Sequence, residues 1–392
     1  MLQPASSSRE LLRTVVECVT LDCFNDYCAI QLGTEDAVES NKNFDRKVSQ
    51  TWFSLVLDNT VSGNTVRILA RLSTILFAFP ARPDSRKRQK SSLQPPVMVD
   101  TLQSPLKSVL NFRDAGEFAN RAMGMKRVKT GLLFRSARLD EASFQDRQRL
   151  VKDYGIRSVI DLRTKTEHME QAQKRDANIK ASAAIPHTND QVAQPLKISD
   201  MAYHKINFNG SSFSRMLMSK LSWFEFFRLV FLMLCGQRLD AIKIIAPHME
   251  DMGLVGLAKS SLDVCKSEVK QVFDVLADQQ SWPVLVHCTQ GKDRTGLIVM
   301  LLLFLLGVDE AAIDEDYRLS ESELAPEREE RLKEMQSIGL SEQFAVCPVG
   351  VVSTVHSHIK EKYGTTEKYL EYTGVSKEAI ETVKWILTAE NL

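Results

Sequence analysis

The chain has 392 residues, of which 44% are apolar and 26% charged, enough for a sizeable core on a soluble protein. Fifty basic and fifty acidic side chains cancel, which argues against nucleic acid as a general partner. Seven cysteines contain no Cys-x-x-Cys pair, so neither a zinc site nor a disulfide framework is indicated.

Residues 1–100 carry no catalytic pattern and read as an N-terminal extension. The opening Met1-Leu2-Gln3-Pro4 lacks the basic start and apolar run of a secretory signal. Thr65 to Phe79 has some amphipathic character, with Arg67 and Arg71 opposite Ile68, Leu69, Leu72, Ile75 and Leu76. A basic cluster, Arg82 to Lys90, then runs into Ser91, Ser92, Pro95 and Pro96, the composition of a solvated linker. From about 101 to 392 the pattern becomes that of one α/β domain. Strand-like runs at Leu132–Phe134, Ser158–Leu162, Tyr203–Phe208 and Val284–His287 alternate with helical spacing, including one helix predicted over Leu262 to Ala277. An insertion over about 211–255 is apolar on nearly every side between Phe213 and Leu234. A helix pair of that kind must bury in the core or meet lipid, and a lid over the pocket is expected.

Between the strand signal Val284–His287 and a long apolar helix lies His287-Cys288-Thr289-Gln290-Gly291-Lys292-Asp293-Arg294-Thr295. A loop that opens a helix presents its backbone N–H groups, and the positive end of the helix dipole, to an anion such as phosphate. The same field stabilises a thiolate, which makes Cys288 the candidate nucleophile. Arg294 suits the second role, since a planar guanidinium can hold two oxygens of a transferring phosphoryl group. Thr289, Gln290, Gly291, Lys292 and Asp293 complete the ring of phosphate-binding positions. Thr295 is placed to hydrogen-bond the sulfur, and His287 to orient the loop. Lys292 either adds a second cation at the pocket mouth or balances Asp293. The apolar run from Leu297 to Val308, broken by Gly307, is far below the roughly 20 residues a membrane span requires. It reads as a buried central helix. Beyond it, Glu310–Ser320, Glu327–Ile338, Val352–Tyr363 and Lys377–Leu387 predict a helical C-terminal cap, with Gly339, Gly364 and Gly374 as helix stops.

This loop resembles the signature of cysteine-dependent protein tyrosine phosphatases. Its Gly-Lys-Asp-Arg-Thr form is similar to the tyrosine/serine phosphatase group of fungi and bacteria, whose members also attack phosphoinositides. Asn111-Phe112-Arg113-Asp114-Ala115-Gly116, Leu133-Phe134-Arg135-Ser136-Ala137, Val159-Ile160-Asp161-Leu162-Arg163-Thr164, Asp316-Tyr317-Arg318-Leu319-Ser320 and Lys362-Tyr363-Gly364 resemble the group's other blocks, in order. Glu117 stands where many relatives carry a second glycine. The resemblance implies a central, mostly parallel sheet flanked by helices. It also implies a metal- and cofactor-free hydrolysis of phosphotyrosine, phosphoserine/threonine or phosphoinositide through a cysteinyl-phosphate, in the cytoplasm. Peripheral membrane contact is compatible with this reading.

No Trp-Pro-Asp loop is present, so the proton donor must come from elsewhere. Asp293, inside the loop, is the first candidate, and Asp161, at the carboxyl end of a strand, the second. Asp114 is the third. A salt bridge to Arg163 competes with catalysis at Asp161, and a turn-stabilising role competes at Asp114. A rival reading of the chain is a phosphate-binding module that does not hydrolyse; a thiol redox response at Cys288 would regulate the enzyme, not replace it.

Overall fold

The computed structural model describes residues 104–169, 171–174 and 197–389; the expectations for residues 1–100 lie outside them. Five strands form one sheet in the order β1-β2-β5-β3-β4. They are β1 (Arg113–Asp114), β2 (Leu133–Ser136), β3 (Ser158–Asp161), β4 (Ala202–Lys205) and β5 (Val284–His287). Among these five strands, only the β1–β2 pairing is antiparallel. Helices α1 (Ala115–Met123) and α2 (Phe144–Lys152) lie among the first strands. Next come α3 (Ser211–Met218), α4 (Trp223–Leu234), α5 (Arg238–Val264) and α6 (Lys266–Ala277). After β5 follow α7 (Asp293–Leu305), α8 (Glu310–Glu323), α9 (Arg328–Ser337), α10 (Val351–Tyr363), α11 (Thr366–Thr373) and α12 (Lys377–Leu387). The expected α/β class and helical C-terminal part are what the chain adopts.

Strand side chains alternate between two cores, as the two-residue period of a pleated strand requires. Val284, Val286, Leu133 and Ile160 face the larger core, built with α6, α7, α10, α11 and α12. Leu285, Phe134 and Val159 face the smaller one, with Leu106, Val109, Phe112 and Leu150. All of Thr295 to Leu305 is buried, so α7 is the central helix its composition predicts.

The strand register positions the site. Ser136, His287 and Asp161 stand side by side on β2, β5 and β3 at the carboxyl edge of the sheet. The chain then leaves β5 at Cys288 and enters α7 five residues later.

Three elements differ from expectation. The helix predicted over Leu262 to Ala277 is divided at Cys265, which leaves helical geometry (φ −89°, ψ 42°), is buried, and donates its Sγ–H to Asn209 Oδ1 at 3.3 Å. The stretch predicted as a helix from Glu327 begins instead with a 3-10 turn at Ala325–Glu327 and becomes α-helical at Arg328. Helix α11 was not predicted. Its signals are local, with Thr365 Oγ1 accepting from Lys368 N–H and Gly374 (φ 96°) ending it.

The apolar insertion folds into α3, α4 and α5. Ser222 and Glu225 form a reciprocal cap at the start of α4, and Leu229 docks it on Ala241 and Ile244 of α5. Its outer face stays uncovered. Trp223, Phe224, Phe227, Phe231 and Leu234 are all more than half exposed, with Arg228 exposed among them. No helix among the described residues is long and apolar enough to cross a membrane.

Candidate active site

The loop from Cys288 to Lys292 is shaped from behind. Asn111, itself at φ 57°, donates its amide to the carbonyls of Gln290 (3.0 Å) and Gly291 (3.1 Å). Arg135 donates to the Gly291 carbonyl at 2.6 Å. Carbonyls drawn to the rear leave the opposite peptide edges, the N–H groups, to face the concave side. The Gly291 N–H donates to Cys288 Sγ at 3.2 Å. Gly291 has φ 67°, and a Cβ there would lie 2.0 Å from the Ser136 carbonyl oxygen, so only glycine fits.

The rear supports are braced in turn. Asp316 on α8 holds Arg113 at 2.6 Å and also pairs with Arg135. All three are largely buried. Burial alone would favour neutral forms, yet the two guanidinium groups hold the Asp316 carboxyl below its usual range. For Arg113, burial outweighs Asp316 and brings its pKa down to about 10. Three of the sequence blocks, far apart in the chain, thus meet behind the loop.

Arg294, in the first turn of α7, is held by a residue the sequence reading did not single out. Glu167 accepts both guanidinium arms in parallel at 2.6 Å and 2.6 Å, and the Leu162 carbonyl accepts a further bond at 3.2 Å. Thr289 also donates its hydroxyl to Glu167. Burial works against both charges, but the pairing wins, bringing Glu167 down to about 2 and raising Arg294. The available signal was Thr164-x-x-Glu167, a helix-start pattern in which Glu167 also caps the Thr164 N–H at 2.8 Å.

The remaining candidates separate by environment. Asp293 opens α7 with its side chain 43% exposed, 3.6 Å from Lys292 Nζ and 3.4 Å from the Tyr317 hydroxyl. Asp161 is buried, paired with Arg163 at 2.7 Å, 3.5 Å from His168 and 3.6 Å from His287. Burial would raise its pKa, but His287 and Arg163 drive it well below the normal carboxylate range. Asp114 caps α1, accepting from the N–H groups of Gly116 (2.8 Å) and Glu117 (3.1 Å) and from that of Gly131. The turn at Glu117 therefore closes without the second glycine. Thr295 is fully buried next to the loop, and its hydroxyl has no partner among the described residues; the same holds for both side-chain amide atoms of Gln290. His287 places Nδ1 3.1 Å from the Cys288 carbonyl, in keeping with an orienting role.

Lys292 contradicts one of its two readings. It is 1% exposed, and its ammonium donates to the carbonyls of Phe344 (3.1 Å) and Val346 (2.8 Å). A stem buried to this degree cannot put a cation at the pocket mouth, and Lys292 instead ties the loop to the turn after α9. The pocket beside Thr289 is walled by residues from 163–174 and α9, and the α3–α5 insertion supplies none of its lining. Among the described residues, no group of three or more His, Cys, Asp or Glu is arranged to hold a metal ion.

The model of the tyrosine phosphatase family matches residues 104–389. A tyrosine-protein phosphatase of Nostoc commune is 37% identical over 130 residues, covering 30% of this chain and 43% of its own length. The triple specificity protein phosphatase PtpB of Mycobacterium tuberculosis is 26% identical over 299 residues, 71% of this chain and 96% of its own. A putative tyrosine-protein phosphatase, OCA1 of Yarrowia lipolytica, is 34% identical over 80 residues, 20% of this chain and 30% of its own. The chain thus spans less than half of the Nostoc and Yarrowia relatives and nearly all of the Mycobacterium one. A family match that takes in everything from β1 to the last helix makes this chain a member of the tyrosine phosphatase family, hydrolases of phosphoric monoesters.

Proposed function

We propose that residues 101–392 form a catalytic domain that hydrolyses phosphotyrosine, and phosphoserine or phosphothreonine, through a phosphoenzyme on Cys288. The observation that carries this is the cradle itself. Cys288 Sγ accepts from the Gly291 N–H at the mouth of α7, and Arg294 is fixed nearby by Glu167. The sulfur attacks phosphorus as a thiolate and the P–O ester bond breaks. Asp293, carrying its proton, delivers it to the departing oxygen. Water then attacks the cysteinyl-phosphate and gives a proton back to Asp293, while the S–P bond breaks and inorganic phosphate leaves. Arg294 and the loop amides hold the three non-bridging oxygens throughout, where charge shifts least if the donors are already in place. The free Thr295 hydroxyl is available to the sulfur as it leaves.

Asp293 is preferred over Asp161 because its carboxyl reaches solvent at the loop, while Asp161 is consumed by Arg163 and two imidazoles. Asp161 then serves to hold the end of β3 beside His287. A reducing cytoplasm is the compartment in which such a thiol survives.

Turnover of an aryl phosphate in EDTA tests the proposal. Cys288→Ser should abolish it, and mass spectrometry of quenched wild-type reactions should find phosphate on Cys288. Binding without turnover in the wild type would favour the non-catalytic module. Asp293→Asn should fail most on poor leaving groups, and a larger leaving-group dependence in Asp161→Asn would reverse the assignment.

Phosphoinositide is the second reading, supported by the aromatic outer face of α4. Trp223, Phe227 and Phe231 stand exposed on one side of a helix with Arg228 between them, a composition suited to the interface of an anionic bilayer. Trp223→Ser/Phe227→Ser/Phe231→Ser should lower activity on vesicle-borne phosphoinositide and leave aryl phosphate turnover unchanged. Equal loss on both would remove the support.

A further inference from the structure

Because Lys292 is turned inward, any second cation at the pocket must come from another element, and α9 supplies one. The helix is tied to the catalytic loop at both ends. At its start, Glu327 is gripped by Arg138 at 2.8 Å and 3.1 Å, and the Arg138 N–H donates to the Thr289 carbonyl at 3.1 Å. At its far end, Met335 and Ile338 pack with Leu340 and Phe344, whose carbonyl Lys292 holds. Arg331 lies between these ties, one turn beyond Glu327, and lines the same cavity as Thr289 and Glu167.

Arg138, Arg163, Glu167 and Glu327 on that cavity are paired, and Lys174 on it is exposed to solvent. Arg138 pairs with Glu327 and Glu141, Arg163 with Asp140 and Asp161, and Glu167 with Arg294. Arg331 differs, since its Nε is buried and has no partner among the described residues. A buried guanidinium N–H left unpaired is costly, and a positioned anion is the natural relief. Burial lowers the Arg331 pKa, against the pull of Asp293, Glu334, Cys288 and Glu327. Glu330 and Glu334 are exposed on the same helix face and form a negative outer rim.

Resting on the phosphatase reading above, we infer that Arg331 forms a second anion subsite beside the catalytic loop. It takes a phosphate that the substrate carries close to the scissile one. Arg331 shares its cavity with Thr289 of the loop and with Glu167, which grips Arg294, so the two phosphates must be near neighbours, as on adjacent carbons of an inositol ring. Phosphates on separate residues of an extended peptide stand farther apart, because neighbouring side chains point to opposite sides. Whether the ring is free or part of a lipid headgroup makes no difference to this chemistry.

The test compares kcat/KM on a vicinal inositol bisphosphate, its short-chain soluble lipid, the corresponding monophosphates, a doubly phosphorylated tyrosine peptide and phenyl phosphate. Arg331→Met keeps the stem and removes the charge. It should cost about 30-fold on both bisphosphates, the scale of a lost charge-assisted hydrogen bond, and less than about 3-fold on the monophosphates and phenyl phosphate. Arg331→Lys should recover part of the loss, and melting temperatures of the variants should match the wild type. Equal losses on all substrates would overturn the subsite, as would a loss confined to the lipid or to the peptide. A wild type that turns over phenyl phosphate without preferring bisphosphate over monophosphate sinks this inference and leaves the phosphatase reading standing. No turnover of any ester by the wild type sinks both.

Discussion

The rear of the catalytic loop and the outer face of α4 are both dense in side-chain chemistry, and they treat it in opposite ways. Behind the loop, Asn111, Arg113, Arg135 and Asp316 lie buried or nearly so and bond one another or loop carbonyls. On α4, Trp223, Phe224, Phe227 and Phe231 face outward, and only the inner side of the helix, through Leu229, is docked. The first region fixes a conformation; the second leaves surface for something else to meet. Polar groups are placed where geometry must be unique, and apolar groups are left exposed where a partner can vary.

The sharpest way to break the contrast is at Asp316. Asp316→Asn leaves two buried guanidinium groups without their counter-charge and should cost about 3–5 kcal/mol in denaturant unfolding. A loss below 1 kcal/mol would mean that the rear network is not rigid support. Glu167→Gln should lower kcat/KM on aryl phosphate about 10- to 100-fold by releasing Arg294, and should also lower stability at neutral pH, because a buried guanidinium loses its counter-charge. Lys292→Met should cost about 1–3 kcal/mol, the penalty for two buried carbonyls left without a donor.

On α4 the expected effects are smaller except at one position. Leu229→Ala should destabilise by about 2–4 kcal/mol, whereas Phe227→Ser should stay within about 0.5 kcal/mol of the wild type. If Phe227→Ser costs as much as Leu229→Ala, the outer face is covered in solution and the comparison fails.

pH offers a further probe of the Glu167–Arg294 pair. The folded-state pKa of Glu167 lies at about 2, below its ordinary value of 4.5. A depressed carboxyl contributes stability that is fully present above its unfolded value and lost as pH falls through the folded one. The difference in stability between wild type and Glu167→Gln should therefore be constant at neutral pH and shrink between about 4.5 and 2. Thiol labelling completes the set. Burial pushes Cys265 and Cys347 up to about 12, so alkylation at neutral pH should spare them in the folded protein.

What the sequence made legible divides along the same line. Asn111 and Arg135, which bond the backbone of the loop, and Asp316, which braces Arg135, sit in short blocks, because one geometry demands one residue type at each place. Cys288 and Arg294 were readable for the same reason. Glu167 was not, since a glutamate near a helix start reads first as a cap, and nothing local links it to Arg294, 127 positions on. Lys292 was half read. Its spacing placed it in the loop, but whether its stem lies inward or outward depends on the carbonyls of 344–346, which only the folded chain brings near. The oily stretch over 211–255 announced helices, as α3–α5 show, but left open which face is covered. Composition counts apolar residues, but it cannot show that Leu229, with Leu232 and Met233 beside it, would dock on α5 while Trp223, Phe224, Phe227 and Phe231 faced out.

The inward course of Lys292 makes the segment 344–346 a mechanical extension of the catalytic loop. Hybrids that graft a foreign cap onto this sheet will inherit its activity only if they preserve two carbonyl acceptors at that reach. Lengthening the stretch between Gly339 and Gly350 by even one amino acid should shift the loop and lower turnover, although no side chain there lines the pocket beside Thr289.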